Sequence, residues 1–432
     1  MWKAYPRHNV YLSRELFGIL LQAIARRQVR RGPHLSRFEE EFARFIGVRH
    51  AVGVSSGRAA LYLALSSLGL KEGDEVMMPA YTFHVVPQVV QACGLKPLFL
   101  DVRPDTCNLD ISLIPQHLTS RTRALMVAHM FGQPCDMEAV LKIVKEKGLR
   151  LIEDCAHACG AEYRGKRVGS FGDFGFFSFG VGKNMPCFGG GMLVTDNPEL
   201  WRQVQEKTGS SADPQAAPFK GIWREVWSTS LTYFATRRKI FTYLVYPVLR
   251  LLDLLGSSAL DGEPGTEMVT PEEISSHYRA RMSNLQAAIG LEQLTRLDEV
   301  NQRVRKNAAL LRQALSGMKG IQSPTVIDGV VPTFLYYRVQ VEDRQAFRRK
   351  LLRRGVDTTP DDMSACSALP LFANLQAGCP VAERLPDRMM EVPNNANLTE
   401  KDLLYIARCV REVGGNEEDD HRENPGLTDH ER

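Results

Sequence analysis

The chain has 432 residues, 44% of them apolar, and a formal net charge of +4. That is enough apolar material for a large core with a second, smaller unit, and too mild a basic excess for a nucleic-acid-binding surface. No run of about 18 apolar residues is present, so no spanning helix is expected, and the N-terminus lacks the apolar core and cleavage site of a signal peptide.

The nine cysteines are scattered without a C-x-x-C pair, which fits reduced thiols in a cytoplasmic protein and fits neither a zinc site nor a disulfide framework. From Gly415 onward the chain carries seven acids and two arginines and almost nothing apolar. Residues 414–432 are therefore expected to form a disordered acidic tail.

In chain order, residues 1–30 are expected to form an N-terminal helical segment, with Ser13 as cap and Leu16, Ile19, Leu20 and Ile24 on one face. A second amphipathic helix follows near Leu35–Ile46. Five short apolar runs come next, in "HAVGVSS", "DEVMMPA", "KPLFLDV", "ALMVAHM" and "RLIEDCA", most of them followed by a helical stretch. That alternation predicts parallel strands with crossover helices. From Phe174 the pattern changes to strand, loop, strand. Residues 31–208 with 265–320 are expected to make the large α/β domain, and 321–413 a small C-terminal α+β domain. Between them, 209–264 reads as an aromatic, apolar helical insertion.

In an open parallel sheet, ligands sit at the carboxyl ends of the strands. Three such ends carry chemistry. "SSGRAAL" opens a helix with small residues and exposed backbone N–H groups, which suit a phosphate. Asp154 closes the apolar run "RLIE", as a helix cap or as the ligand of a cation. Lys183 stands alone in a glycine-rich aromatic loop with no acid in it, as a desolvated amine able to attack a carbonyl would. A phosphate cradle, a carboxylate and a nucleophilic lysine together meet the needs of pyridoxal 5'-phosphate.

The motifs "GPHLSRFEEEFARFIGVRHAVGVSSGRAAL", "GDEVMMPAYTFHVVPQVVQACGLKPLFLDVRPDTCNLD", "LIEDCAHACGAEYRGKRVGSFGDFGFFSF", "GKNMPCFGGGMLVT" and "RMSNLQAAIGLEQL" resemble the DegT/StrS family of pyridoxal-phosphate-dependent sugar aminotransferases, from about Arg31 to Val413. The resemblance implies a fold-type I architecture, with a mostly parallel central sheet flanked by helices and a small C-terminal domain. It implies transfer of an amino group, usually from L-glutamate, to a keto group of a nucleotide-linked sugar for glycan or secondary-metabolite synthesis. By position, Lys183 matches the Schiff-base lysine, Asp154 the pyridinium partner, His157 the residue near the ring oxygen and Phe83 the ring-stacking aromatic. Ser178, Gly57 and Arg58 match the phosphate site, and Arg279 matches the residue that reaches a partner subunit's cofactor in a homodimer.

Three departures stand out. Arg58 replaces a hydroxyl residue, Arg279 replaces an asparagine, and "GVDTTPDDMSACSALPLF" lacks a His-Tyr pair and carries Asp361 and Asp362 instead, which ill suit a diphosphate. They leave open a non-catalytic cofactor-binding regulator; a dehydratase or lyase is disfavoured by the intact lysine. Residues 221–256 are either a helical hairpin packed over the site or a dimer interface, or a peripheral membrane element at the inner face of the membrane, for which a lipid-linked acceptor would follow. Pro247 is expected to kink this segment.

Overall fold

The computed structural model describes residues 3–7, 10–12, 15–208, 219–257, 269, 277–358, 362–375 and 378–415. The expected cap Ser13, residue Asp361 and the acidic tail from 416 lie outside the described residues.

A seven-stranded sheet forms the centre. Its strands are β1 (His50–Val54), β2 (Glu75–Pro79), β3 (Lys96–Leu100), β4 (Thr122–Ala128), β5 (Arg150–Asp154), β6 (Phe174–Ser178) and β7 (Gly191–Thr195), in the spatial order β1-β7-β6-β5-β4-β2-β3. The strands from β3 across to β6 are parallel. β1 does not join them directly. β7 returns from β6 as an antiparallel hairpin and inserts between β6 and β1, pairing antiparallel with both. The chain alternation that groups β1 with the parallel strands cannot reveal this, because β7 is added from 137 residues further along than the end of β1, with β1 ending at Val54 and β7 starting at Gly191.

Helices cover the sheet. α1 (Glu15–Ala25) and α2 (His34–Ile46) pack with the Phe177 and Phe179 side of the sheet. α3 (Gly57–Ser67) and α4 (Val85–Ala92) lie over the Met78 and Phe176 side. α5 (Met137–Lys147) and α6 (Pro198–Thr208) follow. In α1 the buried positions are Leu16 and Ala23, while Ile24 is 43% exposed. The expected apolar face holds at Leu16, Ile19 and Leu20, which meet the core, while Ile24 at its end faces outward.

The segment after α6 is helical where it is described. α7 (Phe219–Ala235) is followed by Arg238–Ile240, a π-helical turn at Phe241–Val245 and α8 (Tyr246–Leu254). Pro247 lies in the first turn of α8, just after the π-helical turn, and because a proline cannot bond to the carbonyl four residues back, here Tyr243, the distortion it imposes falls in the π-helical turn before it. The long α9 (Asn284–Ala314) begins with a capping box between Ser283 and Gln286. A second sheet pairs β8 (Tyr337–Gln340) antiparallel with β9 (Met389–Val392), covered by α10 (Arg344–Arg353) and α11 (Glu400–Gly414). Their apolar residues form a separate core around Tyr337, Val339, Leu351 and Ile406. All nine cysteines are free thiols and eight are buried. No described helix is long and apolar enough to cross a membrane.

One buried ion pair ties these layers together. Arg281 is fully buried and donates to Glu39, a buried residue of α2. Glu39 also accepts from Gly53 N (2.6 Å), and Arg281 donates to Gln205 (3.1 Å) and Thr208 (3.3 Å) of α6. Removing one partner would leave the other charge buried and unpaired. We expect Arg281→Met to lower unfolding free energy by about 3–5 kcal/mol, read by denaturant titration; a loss below about 1 kcal/mol would show that the pair behaves like an exposed one.

Candidate active site

A cavity of about 610 Å³ opens at the carboxyl ends of the parallel strands. Gly57, Arg58, Phe83, Asp154, His157, Ser178 and Lys183 all line it, though they come from four separate stretches of chain. Arg279 does not. It is exposed and lies outside the cavity of its own chain.

Strand geometry decides what β5 contributes. Side chains alternate across a strand, so neighbours Glu153 and Asp154 face opposite ways. Glu153 is fully buried behind the sheet and accepts from the backbone N–H groups of Gly169 (2.8 Å), Phe171 (2.7 Å) and Gly172 (2.8 Å), with His129 Nε2 at 3.2 Å. That carboxylate is structural: its neighbours His129 and Cys155 lie close enough to share a metal ion, but its oxygens are already taken. Asp154 faces the cavity. One of its oxygens accepts from Ala156 N at 2.9 Å. Burial pushes its carboxyl above the usual range, and Lys183 and His129 act against that. A basic nitrogen placed beside it would be held protonated.

Lys183 lies in the loop between β6 and β7. Its backbone N–H donates to Gly180 O at 3.1 Å, and Tyr336 OH donates to Gly182 O at 3.1 Å, which fixes the loop from the small domain. Asn184 donates to Cys159 O at 2.7 Å on the other side. Among the described residues no carboxylate lies within ion-pair distance of the Lys183 amine. Burial lowers its pKa, with the fields of Asp362 and Asp154 pulling it part of the way back. Burial also holds His157 well below its ordinary value, so it is neutral at pH 7. Its ring stacks on Phe131 at 6.1 Å and meets Tyr336 edge-on at 5.6 Å.

The glycines after the lysine have a steric task. Phe188, Gly189 and Gly190 take φ values of 57°, 85° and 95° in succession. At Gly190 a Cβ would stand 2.5 Å from the Met282 side chain, and at Gly191 2.5 Å from the Ser56 backbone. The bare backbone lets β7 press against the start of α3. There Ser56 caps the helix by accepting from Ala59 N at 3.1 Å, and a Cβ on Gly57 would stand 2.9 Å from Ser178 Cβ. Ser178 and the N-terminus of α3 are thereby brought together at one end of the cavity, an arrangement that suits an anion.

The small domain supplies what local sequence patterns do not show. Asp362 is 46% exposed at its side chain, and what it is exposed to is the cavity. Arg338 lies behind it, buried, at 3.0 Å from its carboxylate, with the guanidinium over the rings of Phe131 (4.8 Å) and Tyr336 (4.7 Å). Burial works against the charge of Asp362, but Arg338, His157 and Lys183 together hold its carboxyl below the usual range. The acid noted from sequence as hostile to a diphosphate is therefore a fixed negative charge facing the lysine. The alternation of Tyr336, Arg338 and Gln340 on one face of β8 was a signal that could have flagged the arginine.

The model of the DegT/DnrJ/EryC1/StrS aminotransferase family matches residues 12–411. The chain is 29% identical over 387 residues to a GDP-perosamine synthase of Escherichia coli O157:H7, covering 88% of this chain and 90% of that protein. It is 31% identical over 385 residues to the dTDP-3-amino-3,4,6-trideoxy-alpha-D-glucose transaminase of Streptomyces venezuelae, covering 88% and 87%. Among solved structures, the aminotransferase TlmJ of Streptoalloteichus hindustanus superposes with a TM-score of 0.74 at 26% identity, covering 95% of this chain and 98% of that one.

The amine that Lys183 presents must be neutral to attack a carbonyl. Its reaction with an aldehyde reagent, followed by borohydride and peptide mass analysis, is expected to rise with pH through a midpoint below that of free lysine. The negative charge of Asp362 favours the ammonium form, so Asp362→Asn is expected to move the midpoint to lower pH. A midpoint unchanged in the variant would mean that the two groups do not interact.

Proposed function

The chain belongs to the DegT/DnrJ/EryC1/StrS aminotransferase family, and from that premise we propose that it moves an amino group from a donor, L-glutamate, to the keto group of a nucleotide-linked sugar, with pyridoxal 5'-phosphate held in the cavity described above. The observation that carries this is the meeting of Lys183, Asp154 and the Ser178–Gly57 cradle in one cavity. The relatives named above support the sugar, since their names specify GDP- and dTDP-linked products.

The residues divide the work. Ser178, Gly57 and Arg58 would bind the phosphate, joined by Arg279 of the partner subunit in a homodimer. Phe83 would stack on the ring, Asp154 would pair with its nitrogen, and neutral His157 would donate toward its oxygen. Bound there, pyridoxal phosphate supplies an electron sink for the carbon that carries the nitrogen. Lys183 Nζ would hold the cofactor's aldehyde and, with its proton affinity lowered by burial, would carry a proton between the two carbons that flank the transferred nitrogen. Tyr336 and the glycine loop keep that amine aimed. The enzyme works in the cytoplasm, and peripheral contact with the membrane through residues 221–256 belongs to the same reading.

Lys183→Ala is expected to abolish borohydride-stable attachment of pyridoxal phosphate and to cut transamination by roughly 10³-fold or more. Attachment persisting on another lysine would overturn the assignment.

A further inference from the structure

Eleven of the thirteen exposed large apolar side chains among the described residues lie on α1, α7 and the stretch through α8. On α7 they are Trp227 (74% exposed), Leu231 (71%) and Phe234. Their spacing of four and three residues puts them on one helical face. Leu244 (67%), Val248, Leu251 and Leu255 (71%) repeat that spacing through α8, and Leu21 and Ile24 do so on α1. The faces are joined: Phe17, one turn before Leu21, packs on Phe234 with ring centroids 5.9 Å apart. The inner faces of the same helices are already occupied. Ile222, Val226 and Tyr233 enter the large-domain core, and Phe241 and Tyr246 pack against Ala4 and Leu352. A surface helix is normally apolar on one side only, and soluble chains seldom expose so contiguous an apolar patch.

The charges on these helices select the occupant. Asp253 is buried against Arg250 (2.6 Å) and Arg353 (3.4 Å), and Glu225 sits beside Arg224 (3.7 Å). The turn between α7 and α8 carries Arg237 and Lys239, both exposed. Two copies of the α7–α8 face pressed together about a two-fold axis would oppose cation to cation, and the exposed acid of α1, Glu15, is already paired with Arg296 (3.2 Å). An anionic lipid surface pairs the cations with phosphates, the aliphatic row with acyl chains, and Trp227 and Tyr243 with the interface that such rings favour.

We propose that the outer faces of α1, α7 and α8 dock the enzyme on an anionic phospholipid bilayer, lying on it without crossing it. The consequence for the substrate rests on the aminotransferase reading. Gly221, Ile222, Arg224 and Glu225, in the first turns of α7, line the active-site cavity. Docking therefore holds the cavity beside the headgroups, where a keto sugar carried on a lipid, in place of a nucleotide-linked one, would be presented.

The test is flotation of the full chain loaded with pyridoxal phosphate, without donor or acceptor, so its outcome is independent of the reaction. The wild type is expected to float with vesicles of phosphatidylcholine and phosphatidylglycerol, and less with phosphatidylcholine alone. Leu231→Glu with Leu251→Glu, both at exposed positions, is expected to weaken binding by about tenfold or more while leaving the melting temperature and the cofactor's absorption band unchanged. Arg237→Glu with Lys239→Glu is expected to remove the preference for anionic vesicles. No flotation of the wild type, flotation of the leucine variant at wild-type level, or a leucine variant that changes the mass in solution and so marks a subunit interface, would each overturn the proposal.

Discussion

An ammonium ion taken out of water and left without an ion pair is costly, and this fold spends its organisation on arranging that situation at Lys183. The amine lies among Asp154, His157, Asp362 and Tyr336, none of the described carboxylates forms an ion pair with it, and burial lowers its proton affinity. Everything near it follows from that constraint. The β6–β7 hairpin brings the loop to the carboxyl edge of the sheet, Tyr336 pins the loop at Gly182, and the left-handed backbone at Gly189 and Gly190 lets β7 return against the start of α3. A Cβ at Gly191 would meet the Ser56 backbone and force that hairpin away from the helix terminus, and at Gly190 the φ of 95° itself disfavours a side chain.

The charges around the amine act in graded fashion. Asp154 is buried and pushed toward its protonated form, so a cationic ring nitrogen beside it would restore its charge. Asp362 is held ionised by Arg338, which is itself clamped between two aromatic rings. Neutral His157 lies between them, its neutrality enforced by burial and by Lys183. The cavity thus offers one carboxylate that wants a cation and one that already has it, with a neutral donor beside the reacting amine.

Much of this was legible in sequence because it is local. Asp154, Ser178 and Gly57 each sit at a strand end or helix start, and Lys183 in the glycine-rich loop after β6, where a short apolar run and its neighbouring glycines mark the position. The Arg338–Asp362 pair was not, since it depends on β8 turning one face toward the cavity and on a loop 24 residues away. The antiparallel place of β7 and the outward turn of Ile24 were hidden for the same reason: tertiary packing settles them. In residues 221–256 composition shows apolar side chains on every face, but only the packing of Ile222, Val226, Phe241 and Tyr246 reveals which face remains outside.

The most direct test of the account is the absorption spectrum of the purified enzyme loaded with pyridoxal phosphate, recorded before and after L-glutamate. The account predicts a long-wavelength band of the lysine-bound cofactor that gives way, without any acceptor, to the band of the aminated cofactor, with 2-oxoglutarate released in equal amount. A lysine-bound band that neither glutamate nor another amino acid discharges would contradict it, since the cofactor would then be held without the proton transfer that the lowered proton affinity of Lys183 is there to serve.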